Sequence, residues 1–249
     1  CVQGLLEVLQ IPYNGPGVLG AALGMDKLAQ RKLFQGAGIA APKTIPIFYD
    51  TWEKERSAAI SRAQKEIGFP CVIKPRDEGC STGISIAHTA EELGEAASQV
   101  FSTSKTTLVE ELLNGMEVTV SVLGNEEVVV LPPTETPKKS LNGFLTLEEK
   151  FLPGRAEMIT PARLPQDVLE GTKDTAKRAC ATVGVIGYPR VDLFVAADRI
   201  VVLEVNTLPG ITPSTMVFHQ AAEIGLSPSQ FLDRIIALGL DAHKNKKGP

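Results

Sequence analysis

Long hydrophobic runs are missing from this chain: no apolar stretch approaches the roughly 20 residues of a membrane-spanning helix, and the longest are strand-sized. No membrane partner is expected. An excess of basic charge is missing too. Lys and Arg number 25 against 29 Asp and Glu, for a net charge of −4 with the signs interspersed, so no basic stripe follows a phosphodiester backbone and nucleic acid is not an expected partner. The four cysteines, Cys1, Cys71, Cys80 and Cys180, form no Cys-x-x-Cys pair. A chain of 249 residues does not need disulfide staples, which points to a reducing compartment, the cytoplasm. The three histidines, His88, His219 and His243, fall on unrelated elements; they read as surface or supporting residues, and none is close enough in sequence to make Cys80 a thiolate nucleophile. A Walker A order, an internal repeat and a recognisable targeting segment are all absent. The chain opens on Val2-Gln3-Gly4-Leu5-Leu6-Glu7, the pattern of a helix interior, and is expected to be a fragment with a part missing upstream. The tail from Lys244 to Pro249 is polar and expected to fray.

What is present is an ordered alternation of helix and strand patterns, long enough for one large domain or two smaller ones. Residues 1–40 alternate short helical patterns with glycine turns and end in a helix around Asp26–Gly36 that Gly38 and Pro42 stop. Strands follow at Ile45–Tyr49, Pro70–Lys74, Gly83–Ala87 and Thr107–Glu111. Helices lie between them at Trp52–Ile67 and at Ala90–Phe101, the latter capped by Thr89 with Glu92 at the capping-box position. From Gly115 a second unit has strands at Glu117–Leu123 and Glu127–Leu131, a polar loop over Pro132–Ala156, a helix at Gln166–Val183, a strand pair and a last helix at Ser227–Leu238. The expected division is 1–40, 41–113 and 114–249. A loop of that length inside a domain reads best as a lid.

The strand pair carries the chemistry. Arg190-Val191-Asp192 and Glu204-Val205-Asn206 each alternate polar and apolar residues, so Arg190 shares a face with Asp192, and Glu204 with Asn206. If Ala196–Ile200 reverses the chain, one register sets Asp192 against Glu204 and Arg190 against Asn206. Facing carboxylates repel and need a cation, and oxygen donors on strands suit Mg²⁺ with phosphate oxygens completing its shell. The plain alternative is a solvated hairpin with Arg190 as salt-bridge partner. The stretch from Val72 to Gly83 adds a strand ending at Lys74 and a loop with two glycines and two hydroxyls. Its backbone N–H groups could meet phosphate oxygens, although a tight turn between paired strands would look alike. Lys27, Glu110-Glu111 at a strand end and Lys150 in the loop supply further charges.

Taken in order, Met25-Asp26-Lys27, Ile73-Lys74-Pro75, Glu78-Gly79-x-Ser81-x-Gly83, Val109-Glu110, Gly115-x-Glu117-x-Thr119-Val120, Glu149-Lys150, Arg190-Val191-Asp192 and Glu204-Val205-Asn206-Thr207-x-Pro209-Gly210 resemble the D-alanine–D-alanine ligases. The resemblance runs from about residue 1 to 240. It implies an α/β (α+β) ATP-grasp fold, two subdomains with the nucleotide between them, serving peptidoglycan synthesis. It implies that Lys27 and Lys74 contact ATP phosphates beside Ser81, that Glu110, Glu111, Leu113, Glu117 and Phe144 belong to the nucleotide site, and that Lys150 reaches the phosphates from the lid. Asp192, Glu204 and Asn206 would hold two Mg²⁺ ions, or Mn²⁺ in their place. Arg190 and the Gly210 backbone would face a tetrahedral oxyanion, and Thr215 would take the second substrate's carboxylate. The small-molecule substrates would be ATP and D-alanine, and the full-length protein a homodimer.

Two positions depart from the family pattern. Cys80 stands where a serine is common and Phe151 where a tyrosine is common, and those hydroxyls usually bond the carboxylate matching Glu117; Cys80 and Glu117 are thereby placed at the catalytic end of the site. A thiol is a weak donor and phenylalanine is none. The Phe151 variant resembles members that make D-alanyl-D-lactate, and the loop around Cys80 is similar to plant homologues, for which a plastid would be the compartment. Two alternatives follow: a nucleotide-binding pseudoenzyme or half of a duplicated protein, and a ligase of the same fold with another acceptor.

Overall fold

The computed structural model describes residues 1–79, 82–137, 157–213 and 215–245. Three helices come first: α1 (Val2–Val8), α2 (Val18–Met25) and α3 (Lys27–Gly36). Asp26 separates the last two because its extended backbone lets the carboxylate accept the Ala29 N–H at 3.0 Å, an N-cap that starts α3 afresh.

The first sheet contains β1 (Thr44–Phe48), β2 (Cys71–Pro75), β3 (Ser85–Ala87) and β4 (Thr106–Glu111), ordered β1-β4-β2-β3, with every described pairing antiparallel. Period-two alternation sorts its faces. Ile45, Ile47, Cys71, Ile73 and Val109 pack under α4 (Tyr49–Glu66) and α5 (Ala90–Val100) with Trp52, Ala63, Leu93 and Ala97. Lys74 and Glu110 therefore sit on the opposite face. Helix α4 begins at Tyr49 rather than Trp52, because Tyr49 and Trp52, three residues apart, both pack their rings on Phe101 at 5.6 and 5.5 Å. Thr89 caps α5 through the Glu92 N–H, and the Glu92 carboxylate accepts from the His88 N–H at 2.7 Å.

The second sheet runs β6 (Val128–Val130), β5 (Met116–Gly124), β8 (Arg190–Val195), β9 (Ile200–Asn206), with the two-residue β7 (Thr134–Glu135) also paired to β5. Val118, Val120, Val191, Leu193, Val202 and Val205 face α6 (Gln166–Val183), which stops at the left-handed Gly184. The other face carries Glu117, Thr119, Arg190, Asp192 and Phe194. Beyond its far end lie α7 (Met216–Glu223) and α8 (Pro228–Lys244), packed with Leu123, Leu131 and Tyr188. Helix α7 is not among the elements expected from the sequence, and α8 runs on to Lys244, past the expected end at Leu238.

Strand β9 is an edge whose backbone is covered rather than open. The Gln30 side chain on α3 donates to the Val205 carbonyl at 3.3 Å and accepts the Val205 N–H at 2.8 Å, and the Val202 N–H bonds Ala40 O at 2.8 Å. Among the described residues, no helix is long and apolar enough to cross a membrane.

Candidate functional site

The β8–β9 hairpin sets Arg190 against Asn206 and Asp192 against Glu204, then slips between Asp192 and Leu193, so that Val202 pairs with Leu193 and Leu203 is the extra residue. Such a bulge disturbs strict alternation. Leu203 and Glu204, adjacent in sequence, both line one cleft, together with Phe194, Asp192 and Glu117 from the second sheet. Lys74, Glu110, Val72 and Ile86 line it from the first sheet, and Lys27 from α3. The cleft thus joins an apolar wall to a strongly charged one.

Asp192 is 8% exposed. Its carboxylate accepts from Arg190 Nε and Nη2 at 3.0 and 2.9 Å, from Thr119 Oγ1 at 3.0 Å and from Asn206 Nδ2 at 2.9 Å. Burial opposes the Arg190 charge, but the Asp192 carboxylate outweighs it and holds the guanidinium ionised. Glu204 is held more loosely: Lys27 Nζ lies 3.7 Å away and Asn206 Nδ2 3.5 Å, with the Glu204 side chain 30% exposed. The donor chemistry fits a hard divalent cation. Two carboxylates and a carboxamide, which can turn its oxygen inward, share one end of the hairpin, and Glu204 is accessible. Among the described residues, no cluster of three His, Cys, Asp or Glu side chains forms a metal site.

Glu110 is a buried ionic centre. Lys74 Nζ approaches Oε2 at 2.6 Å, Arg31 Nε and Nη2 reach its two oxygens at 3.0 and 3.4 Å, and the Thr44 hydroxyl donates to Oε1 at 2.9 Å. Burial works against its charge, yet the Arg31 and Lys74 cations prevail and lower its pKa to about 2. Burial lowers the Lys74 pKa. The Glu110 carboxylate, expected in the nucleotide site, is thus taken up by two cations and a hydroxyl. Glu111, at the end of the strand, is likewise engaged: it accepts from the Lys43 N–H at 2.9 Å and from Arg199 Nη2 at 3.0 Å. Arg199 lies in the β8–β9 turn, so this pair ties the two sheets together. Leu113 stays on the cleft wall.

Lys27 projects from the first turn of α3, donates to the Glu78 carbonyl and faces Glu204. Arg76 sets this arrangement by gripping the Asp26 carboxylate with two N–H groups while its own carbonyl accepts the Lys27 N–H at 3.1 Å. Those Arg76 bonds hold the Asp26 carboxyl below its ordinary range. Gly210 is exposed just beyond β9. Thr215 occupies the N-cap position of α7, but its hydroxyl donates to Thr212 O at 2.8 Å instead of capping the helix. Cys80, Ser81, Phe144, Lys150 and Phe151 lie outside the described residues. Arg31 and Arg76 carried no role in the sequence reading, and Thr119 stood in the quoted Gly115–Val120 pattern without one. Arg31 follows Lys27 by one helical turn and Thr119 follows Glu117 by two strand positions, so spacing alone could have nominated both.

Two helix-backed antiparallel sheets closing on a charged cleft define an ATP-grasp protein. The chain belongs to the D-alanine–D-alanine ligase family: residues 33–237 match the family model described as D-ala D-ala ligase C-terminus. A D-alanine–D-alanine ligase from Geobacillus thermodenitrificans is 37% identical over 99% of this chain and 67% of its own length. The VanG D-Ala:D-Ser ligase from Enterococcus faecalis superposes with a TM-score of 0.85 at 33% identity, over 96% of this chain and 68% of that one. The Bacillus anthracis D-alanine–D-alanine ligase, solved as a complex with ATP, gives 0.82 at 27% identity, over 99% and 76%.

Proposed function

We propose that the full-length protein is an ATP-dependent ligase that joins two D-alanines through an acylphosphate, releasing ADP and phosphate. The observation that carries this reading is the facing pair Asp192 and Glu204, set in one cleft with Lys27 and Lys74. The apolar wall of Val72, Ile86, Leu113, Phe194 and Leu203 suits a purine, and the two lysines suit its phosphates. Asp192, Glu204 and Asn206 would hold Mg²⁺, one or two ions, or Mn²⁺; when bound, the metal offsets charge on the transferring phosphoryl group.

A carboxylate is a poor acyl donor, so the first D-alanine is activated by phosphorylation before the second amine attacks. Arg190 spends Nε and Nη2 on Asp192, which orients its Nη1 edge for the tetrahedral oxyanion together with the Gly210 N–H. Thr215 receives the acceptor's carboxylate, and Glu117 with Cys80 closes the catalytic end. Glu110 and Glu111 stand at the nucleotide end of the cleft, and Ser81, Phe144 and Lys150 complete its contacts. Residues 41–113 and 114–249 form the two subdomains, with 1–40 leading into them. A homodimer accords with the exposed Val2, Leu5, Val8 and Leu19, and a cytoplasmic site with the free thiols of Cys1, Cys71 and Cys180.

The test is ADP release by the full-length protein with ATP, Mg²⁺ and D-alanine, with D-serine and D-lactate as alternative acceptors. One dipeptide per ADP, dependent on D-alanine, is expected. Release equally fast without D-alanine overturns ligation. Binding of ATP with no turnover on any acceptor identifies the pseudoenzyme.

A further inference from the structure

Glu110 is gripped from two sides. Lys74 and Glu110 line the cleft; Arg31 does not, and reaches the carboxylate from behind. All three are buried, at 7%, 3% and 6% exposure for Lys74, Glu110 and Arg31. Two cations therefore serve one carboxylate. A lysine that is the sole counter-ion of a buried carboxylate cannot turn to an incoming phosphate without leaving that carboxylate unpaired, which is strongly unfavourable.

Arg31 removes this obstacle, and its geometry shows unused capacity. Its Nη2 stands 3.4 Å from Oε2, long for a charge-assisted bond of about 2.8 Å, because Lys74 already holds that oxygen at 2.6 Å. Its Nη1 is buried with no hydrogen-bond partner among the described residues. The planar fork can close further on Glu110 as Lys74 departs.

We propose that Arg31 is a positioning residue for the nucleotide: it keeps the Glu110 charge neutralised so that Lys74 is released from its ion pair to the phosphates. Arg31 itself does not touch the nucleotide. This rests on reading the cleft as an ATP site.

Calorimetry on the full-length protein with Mg²⁺ and ATP, and separately with adenosine, tests it. Arg31→Met should weaken ATP binding roughly tenfold or more, the scale of one charged hydrogen bond, and leave adenosine binding unchanged, because only the phosphate contact is lost. Lys74→Met lacks that contact already, so the double variant should bind ATP no more weakly than Lys74→Met alone. Arg31→Lys should recover part of the loss. The proposal is overturned if Arg31→Met binds ATP like the wild type, if it weakens ATP and adenosine alike, or if its effect adds in full to that of Lys74→Met. Should Arg31→Met fail to fold by circular dichroism, Arg31→Lys carries the same comparison: a smaller loss for ATP, none for adenosine and none on top of Lys74→Met, any other pattern overturning the proposal. A wild type that binds neither ligand refutes the nucleotide reading itself, whereas failure of the proposal alone requires a wild type that binds ATP.

Discussion

Removing the Glu110 charge should destabilise the protein near neutrality and progressively less in acid. Glu110 is 3% exposed, so solvent screens its two cation contacts little. Its pKa falls from 4.5 to about 2 on folding, a depression that corresponds to about 3 kcal/mol of stability at neutral pH. For a carboxylate with a depressed native pKa, that stability is present above the unfolded value and is lost as pH falls through the native one. The window therefore runs from about 4.5 down to about 2. Glu110→Gln keeps the shape but leaves the Arg31 and Lys74 cations buried against an amide, so urea unfolding should give a loss of about 3 kcal/mol near pH 7, shrinking to about 1.5 kcal/mol by pH 3, where the unfolded-state carboxylate is already protonated while native Glu110 remains largely ionised. Asp26, whose pKa is also lowered, titrates alike in both proteins and cancels in the difference. A penalty of the same size at both pH values, with equal m-values, would refute the assignment of Glu110 as the ionised centre of this cluster.

Asp192→Asn and Glu204→Gln should each reduce Mg²⁺-dependent ATP turnover of the full-length protein by more than about a hundredfold, as expected for groups that organise charge at the reacting phosphate. They should differ in stability: Asp192→Asn weakens a bidentate buried pair and costs about 2 kcal/mol, while Glu204→Gln, 30% exposed with its cation at 3.7 Å, costs under about 1 kcal/mol by urea titration. Gly115 sits at φ +147°, where a Cβ would lie 2.2 Å from the Val195 carbonyl oxygen, so Gly115→Ala should cost more than about 2 kcal/mol. Gly36→Ala, on α3 with nothing within 4 Å, should instead be neutral or stabilising by up to about 1 kcal/mol in thermal unfolding.

The hairpin pairing of Asp192 with Glu204 was legible because alternation fixes which side chains share a face, and one register places the four polar groups together. The bulge at Leu203 was not, since Val201-Val202-Leu203 reads as one apolar run whichever residue is extra. Lys27, Lys74 and Glu110 were nominated by the sequence, and one cleft brings them together, but their pairing was hidden. Arg31 looks like an ordinary solvent-facing charge on α3; a carboxylate 79 positions later makes its burial tolerable. The same holds for α7. Its Met216-Val217-Phe218 start has no strong helical signature, and the helix is held by Gln220, whose side chain donates to Thr119 O at 2.8 Å and accepts the Ser121 N–H at 3.1 Å. These bonds occupy backbone groups of β5 between its pairings with β7 and β6, and the strand they steady carries Thr119, a donor to Asp192. Local pattern can therefore nominate a charged residue for the site, but whether its charge is available to a ligand depends on partners contributed by distant segments. In this cleft that distinction separates Lys27 and Glu204, loosely paired at 3.7 Å, from Lys74, which must be released from Glu110 before it can serve a phosphate.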